Sequence, residues 1–591
     1  MIKNALPTLS VSTAGWMSTP TNQASFVWSH SNEEPADLGV IIVGPIGPES
    51  LHCHRSIKCL AETLQSNGIT TLRYDHIGMG NSSNDLFIPR LMDDWIANIG
   101  TLHQYLTNGI GAKSVAIVAL RSGSLLAAKY LETHSVDHLI LWYPYIQGPA
   151  FYRDITMIDG MLEICNDGLE PYVNAGGYPI TKAIAEDLKS IDLVKMESRV
   201  RSSVFTIQSK ESKALSRLEQ KYVNNGNPYQ HRVSPSLPRM ARMAQFSEVP
   251  VDDIDIISLH ISKQVQEHKT KGPYKSPTQI FACQQFGGFS ESTLISFESS
   301  KIFGITCEPD NNLTGLKEKP VILITNGGAA HHIGPNRLHT DLARELVQHQ
   351  FTSVRFDLST LGDSPAEHTD SNPNPYPSHA VNDIDQMIGA VNLKLNPERI
   401  IIIGLCSGAH NAFHAQLQLE HHNIVETVLI NPLTFYMREG DSTLAPESVN
   451  MEMNKNYYQG QARSLKVWLN LLKDPAKVIK LSGFVLKLVA SKCTQLIKPV
   501  ARMLNLIPPE DLQEDIEKLL EAKQHLSFFI SNNDPGHRMI LQQAGSALKK
   551  GIKSKNIKVT ITSSVDHTFT TLESRRELIK SISEHLREKY I

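Results

Sequence analysis

The chain is 591 residues long, 41% hydrophobic and 20% charged, with a formal net charge of -3. That balance is ordinary for globular protein and leaves no basic excess to hold a nucleic acid. The length suffices for two domains of about 250-300 residues, each with its own core.

In chain order, the first half reads as strands alternating with helices. GVIIVG (39-44) is an apolar strand, and a helical stretch then runs to Gly68. TTLRYDHIGMGNSS (70-83) is a second strand followed by a Gly-rich turn. SVAIVALRSGSLLAA (114-128) drives a strand straight into a turn and a helix, with Arg121 at the apex. SSVFTIQSKES (202-212) is a later strand with Glu211 at its end, and no histidine lies between His231 and His260. The polar stretch QVQEHKTKGPYKSPTQ (264-279) carries Gly and Pro and marks a boundary. The expected division is a domain over 1-265, a linker over 266-284 and a second domain over 285-591.

The second half opens with two extra strands, FGGFSESTLISF (286-297) and KIFGITCEP (301-309). VILITNGG (321-328) and SVRFDLSTLGDS (353-364) follow, and then IIIIGLCSGAHNAF (400-413). In that last segment a β-branched run enters Gly404-Leu405-Cys406-Ser407-Gly408, the pattern of a nucleophile elbow with cysteine in place of serine. Gly404 and Gly408 flank a backbone held in a strained conformation, where neighbouring Cβ atoms would clash. The following helix presents its N-terminus to the sulfur, an arrangement that activates thiols. LSFFISNND (526-534) is a strand ending in Asp534, and IKVTITSSVDH (557-567) is one ending at His567. A base and an acid after separate strands are what a cysteine nucleophile needs: His567 to take the thiol proton, Asp534 to fix its tautomer.

The two halves repeat one another. Asp75 and Asp357, Arg121 and Cys406, and Pro144 and Pro432 recur 282, 285 and 288 positions apart. In the first half Arg121 cannot act as a nucleophile, and Ser122 stands one residue beyond the apex. That half is expected to be catalytically inactive. Arg121 then meets an anionic group such as a carboxylate or phosphate, or makes an internal salt bridge; both readings stay open.

The order Cys406, Asp534, His567 resembles that of the α/β-hydrolase superfamily. The resemblance implies two tandem α/β domains, each a mostly parallel sheet flanked by helices. It implies an oxyanion hole from backbone amides near Gly327 or Gly328 and of Ser407. A cysteine in this box is shared with dienelactone hydrolases and polyhydroxyalkanoate synthases. Ala409 stands where both commonly have a second glycine, so neither substrate is carried over. In such proteins an insertion after the sixth core strand forms a lid, expected here at about 433-510. From Pro475 to Pro509 there are six Lys or Arg and no Asp or Glu, among apolar residues at helical spacing. A lid gripping an acyl chain, a dock for an acidic carrier protein, and transient membrane contact through 475-509 all fit that pattern.

The activity implied is acyl hydrolysis or transfer on esters or thioesters through an acyl-cysteine. A thioesterase is favoured, and coenzyme A or an acyl carrier protein are candidate thioester partners. A non-catalytic scaffold binding an acyl ligand or a protein is the alternative, as is a transferase or cyclase that excludes water. No cofactor or metal is expected: His52, Cys53, His54 and Cys59 match no zinc spacing well. His331 and His332 line the pocket or sit in a surface turn, and His410 ranks below His567 as a base. Seven cysteines form no paired framework and point to a reducing compartment, so the expected location is cytoplasmic. No run of ~20 apolar residues is present to span a bilayer, and the N-terminus lacks a signal-peptide core.

Overall fold

A computed structural model describes residues 10-32, 37-159, 162-163, 171-265, 280-296, 301-310, 319-365, 373-420, 422-437, 511-532, 534-564 and 566-591. The expected lid, from 438 to 510, and residues 266-279 of the expected linker lie outside these.

The fold is α/β. In the first half the strands are β1 (Ser10–Ser18), β2 (Ala24–Asn32), β3 (Leu38–Val43), β4 (Thr70–Tyr74), β5 (Ser114–Leu120) and β6 (Ser135–Trp142). A small antiparallel sheet follows, β7 (Leu162–Glu163), β8 (Tyr172–Ala175) and β9 (Tyr178–Thr181), and then β10 (Arg199–Gln208) and β11 (Tyr229–Val233). The main sheet has the order β1-β2-β4-β3-β5-β6-β10-β11. Only β1 and β2 run against their neighbours.

The second half contains β12 (Cys283–Gln285), β13 (Phe289–Ile295), β14 (Phe303–Pro309), β15 (Val321–Ile324), β16 (Ser353–Phe356), β17 (Ile400–Leu405), β18 (Ile424–Ile430), β19 (His525–Ser531) and β20 (Ile557–Thr562). Its sheet, β12-β13-β14-β16-β15-β17-β18-β19-β20, repeats the arrangement: antiparallel at one edge and parallel from β16 through β20. All six residues of β17 are buried, as a central parallel strand covered on both faces requires. Separate apolar cores lie on the two faces of each sheet.

Strand β12 begins inside the stretch read as linker. It does so because Phe281, just before it, bridges back to Trp16 of β1 while Cys283–Gln285 pairs with β13. A fifth core joins the halves: Trp16, Ala24, Phe26 and Trp28 pack with Phe303 and Ile305. Around it the Gly-rich turns after β4 and β16 are exchanged between halves. Arg73 of β4 pairs with Asp363 at 2.7 Å, and Arg355 of β16 donates to Asn81 Oδ1 at 3.2 Å. Arg337 donates to the carbonyls of Gly80 and Ser82, while Lys58 donates to those of Gly362 and Ser364. The pattern is that of a two-fold interface inside one chain. Among the described residues no helix is long and apolar enough to cross a membrane.

Candidate active site

β17 delivers Cys406 to the carboxyl end of its sheet with φ 58° and ψ -114°, a conformation that L-residues adopt at a cost of ~1-3 kcal/mol. Two close approaches enforce it. A Cβ on Gly404 would lie 2.1 Å from the carbonyl oxygen of Gly408, and one on Gly408 would lie 2.3 Å from that of Asn326. Both positions therefore need glycine. The Cys406 amide donates to the Ile430 carbonyl at 2.9 Å, tying the elbow to β18. Its side chain is partly exposed. Ser407 opens the helix Ser407–Gln418, so its amide belongs to the first turn, where N–H groups lack an intrahelical partner.

Asp534 and His567 meet. Nδ1 of His567 lies 2.6 Å from Oδ2 of Asp534, whose other oxygen accepts the Gly536 amide at 2.9 Å. Burial alone would lower the His567 pKa. The Asp534 hydrogen bond and the neighbouring Cys406 thiol outweigh it and raise the value to about 10. Among the described residues the other ring nitrogen, Nε2, is buried and has no hydrogen-bond partner within ordinary geometry, although the Cys406 thiol adjoins the ring. The loop carrying His567 is fastened by residues with no signature in sequence. Asn431, just beyond β18, donates to the His567 carbonyl at 2.8 Å and to Ser531 Oγ at 2.9 Å. Asp566 accepts the amides of Thr568 and Thr570, each at 3.0 Å.

Tyr376 is a further site residue missed in sequence. It is buried, its ring stands edge-on to His410 with centroids 5.2 Å apart, and its hydroxyl adjoins the Cys406 thiol. Burial and the adjoining thiol push its pKa up. No strand or turn pattern marks a lone tyrosine in an irregular segment. His410 itself is half-buried, with its pKa lowered to about 4 by desolvation, and bonds Asn411 rather than the thiol.

The segment after β15 approaches the elbow as expected, with one difference. The Gly328 amide donates to Ser407 Oγ at 2.9 Å, so in this structure that expected oxyanion donor is engaged within the protein. The cause is Ser407, whose hydroxyl reaches back across the turn. The first half makes the same bond, from the Ile46 amide to Ser122 Oγ at 2.9 Å. Gly327 packs against Leu405 of β17. A cavity of about 100 Å³ beside this segment is bordered by Ala329, Leu361 and Pro373 and, from the first half, by Leu51, His52 and Ala244.

Arg121 also sits at an elbow apex, with φ 53°. The anion it meets is Glu49 of the same chain, at 2.9 Å, and its guanidinium lies over the Tyr145 ring. Of the two readings of Arg121, an external anion or an internal salt bridge, the pair with Glu49 is the salt bridge. Glu211 pairs instead with His231 on the surface, at 3.0 Å.

His332, Asp357 and Asp363 place metal-type donor atoms within 4.8 Å of one another. Their atoms are committed to hydrogen bonds. His332 Nδ1 faces Asp357 at 2.7 Å and its Nε2 faces Asn81 at 3.0 Å, while Asp363 holds Arg73 and His54. His54 stacks on His331, and Cys53 is buried with its thiol pKa pushed up.

No protein-family model matches this chain, and no curated protein does. Solved structures similar to it include an esterase of Pyrococcus furiosus, 13% identical, covering 51% of this chain and 92% of that one with a TM-score of 0.31. A putative hydrolase from Agrobacterium vitis is 15% identical, with coverages of 44% and 100% and a TM-score of 0.29. Est1E from Butyrivibrio proteoclasticus, with ferulic acid bound, is 14% identical, with coverages of 42% and 96% and a TM-score of 0.31.

Proposed function

We propose that the second half is an acyl hydrolase or acyltransferase that works through an acyl-Cys406 intermediate, with thioesters as the favoured substrates. The observation that carries this reading is the 2.6 Å contact between His567 and Asp534, on the loops that follow β20 and β19, with Cys406 at a strained apex beside the ring.

In the proposed cycle the Cys406 thiol proton resides on His567 Nε2, and the sulfur attacks the substrate carbonyl. Asp534 stabilises the imidazolium and holds its ring through Nδ1. The carbonyl oxygen becomes an oxyanion facing the Ser407 amide and the Gly327-Gly328 segment, where reorientation of the Ser407 hydroxyl frees the Gly328 amide. Collapse breaks the bond to the leaving group, which takes the proton from His567. The products are an acyl-cysteine and a free thiol or alcohol. His567, now neutral, activates water, or an alcohol or amine acceptor, to attack the acyl-cysteine. Thioester exchange onto a cysteine is nearly isoenergetic, which is the chemical ground for preferring thioesters. The scheme requires no cofactor or metal. We read the first half as catalytically inactive, since Arg121 and Glu49 fill its apex.

The test is turnover of a panel of acyl thioesters and activated esters, with acid release measured by titration, for wild type and for Cys406→Ser. Loss of turnover in the variant supports the reading. Turnover that survives Cys406→Ser unchanged, or no turnover by folded wild type on any member, moves the assignment to a binding scaffold.

A further inference from the structure

The Gly327-Gly328 segment is held by a chain of hydrogen bonds that starts in the other half of the protein. Asn326, just before Gly327, donates through Nδ2 to Asp357 Oδ1 and to the Ala330 carbonyl, each at 2.8 Å. Its Oδ1 accepts the Leu358 amide at 2.7 Å. The second oxygen of Asp357 faces His332 Nδ1 at 2.7 Å. His332 Nε2 lies 3.0 Å from Asn81 Nδ2, contributed by the turn after β4.

Asn81 sets the proton arrangement of this chain. Arg355 donates to its Oδ1 at 3.2 Å, which fixes the amide with Nδ2 toward His332. Nδ2 can only donate, so Nε2 of His332 must accept, and the ring proton is left on Nδ1, facing Asp357. Every named group is buried, so a partner lost here is not replaced by bulk water. The far end of the same segment is fastened by the first half too. Arg337 donates to the carbonyls of Gly78, Gly80, Ser82 and Asn84. A Cβ placed on Gly328 would lie 3.8 Å from Gln245 Oε1, so the first half also covers the segment from above.

We propose that Asn81 of the first half is a positioning residue for the oxyanion segment of the second, acting through His332, Asp357 and Asn326. The first half, without a nucleophile of its own, thereby completes the active site of its neighbour. This rests on the acyl-Cys406 reading. Asn81 touches neither substrate nor thiol; it fixes the orientation of the groups that aim the backbone amides, where an error of about 1 Å costs roughly 10²-fold in rate.

The experiment uses the full chain and an activated acyl thioester, following single-turnover acylation of Cys406 by rapid quench and intact mass. For Asn81→Ala the acylation rate constant falls by roughly 10- to 100-fold with the concentration for half-saturation little changed. The pH profile of Cys406 alkylation stays as in wild type, because His567 and Asp534 are untouched. Arg575→Gln is the control for general loosening: it removes a different contact between the halves, to the Gly177 carbonyl at 2.9 Å, and none of the hydrogen bonds that run from Asn81 to Asn326. It is expected to lower stability and leave acylation unchanged. Should Asn81→Ala fail to fold, Asn81→Ser, polar but too short to reach His332, carries the same expectation. An unchanged acylation rate in a folded Asn81 variant overturns the proposal, as does an equal slowing by Arg575→Gln. Absence of any adduct in wild type overturns the acyl-cysteine reading itself, and is recognised as such because it appears before any Asn81 variant is made.

Discussion

Arg121 is bound through Nε to both carboxylate oxygens of Glu49, each at 3.1 Å. The terminal nitrogen Nη2 adds a bond to Glu49 Oε1 at 2.9 Å and another to the Tyr145 hydroxyl at 2.7 Å. The place that carries a thiol in the second half is thus filled by a planar ion pair in the first. With side chains only 12% and 20% exposed, the pair is poorly screened by water.

Removing one partner leaves the other charge without compensation. Arg121→Ala is expected to lower the unfolding free energy by about 3 kcal/mol in denaturant titration, while acylation at Cys406 is retained. Arg121→Cys should be destabilised similarly and gain no second acylation site, since Glu211 and His231 pair at an exposed site of their own. A doubly acylated Arg121→Cys protein would contradict this.

The Asp534 carboxylate sustains the high pKa of His567. Proton donation to the leaving group then persists until pH rises through about 10, where the acylation rate should fall. In Asp534→Asn that alkaline limb moves to lower pH, and the rate at neutral pH drops by as much as ~10⁴, as for other relays that lose their carboxylate. A pH-rate profile for both proteins checks the direction. An unmoved limb would separate Asp534 from the chemistry.

Tyr376→Phe removes the hydroxyl that adjoins the Cys406 thiol and leaves the ring in place against His410. The expected result is a roughly 10-fold slower acylation with thermal stability near that of wild type, as for loss of one donor at a reacting centre. Single-turnover rates and a melting curve distinguish this from a packing defect, which would lower stability and spare the rate.

Acid should loosen the contact between the halves through Glu291. Burial works to raise its pKa, but Arg344 and Arg355 prevail and hold it at about 2, below the ordinary value of 4.5. A depressed carboxylate contributes stability that is complete above its unfolded value and is lost as pH falls through the folded one. The advantage of wild type over Glu291→Gln in thermal unfolding should therefore shrink from pH 4.5 downward and vanish near pH 2. A difference independent of pH would show that shape, not charge, is at stake.

Much of this architecture could be read in the sequence because it is local. β17 is legible as an unbroken β-branched run, and the elbow as glycines flanking one residue. Asp534 and His567 each follow the apolar pattern of their own strand. The repeat made the alternation of strands and helices legible twice. Tyr376, Asn431 and Asn81 were not legible, because each acts across a distance in sequence that no period records. Asn81 reaches a histidine 251 positions away. The engagement of the Gly328 amide by Ser407 was also hidden, since it depends on one side-chain rotamer across the turn.

The measurement that tests the central claim most directly is intact mass after brief exposure to acyl thioesters, for wild type and Cys406→Ala, with peptide mapping of any adduct. The account predicts a single acyl group on wild type, located at Cys406, and none on the variant. An adduct mapped to another residue, or equal labelling of both proteins, would contradict it.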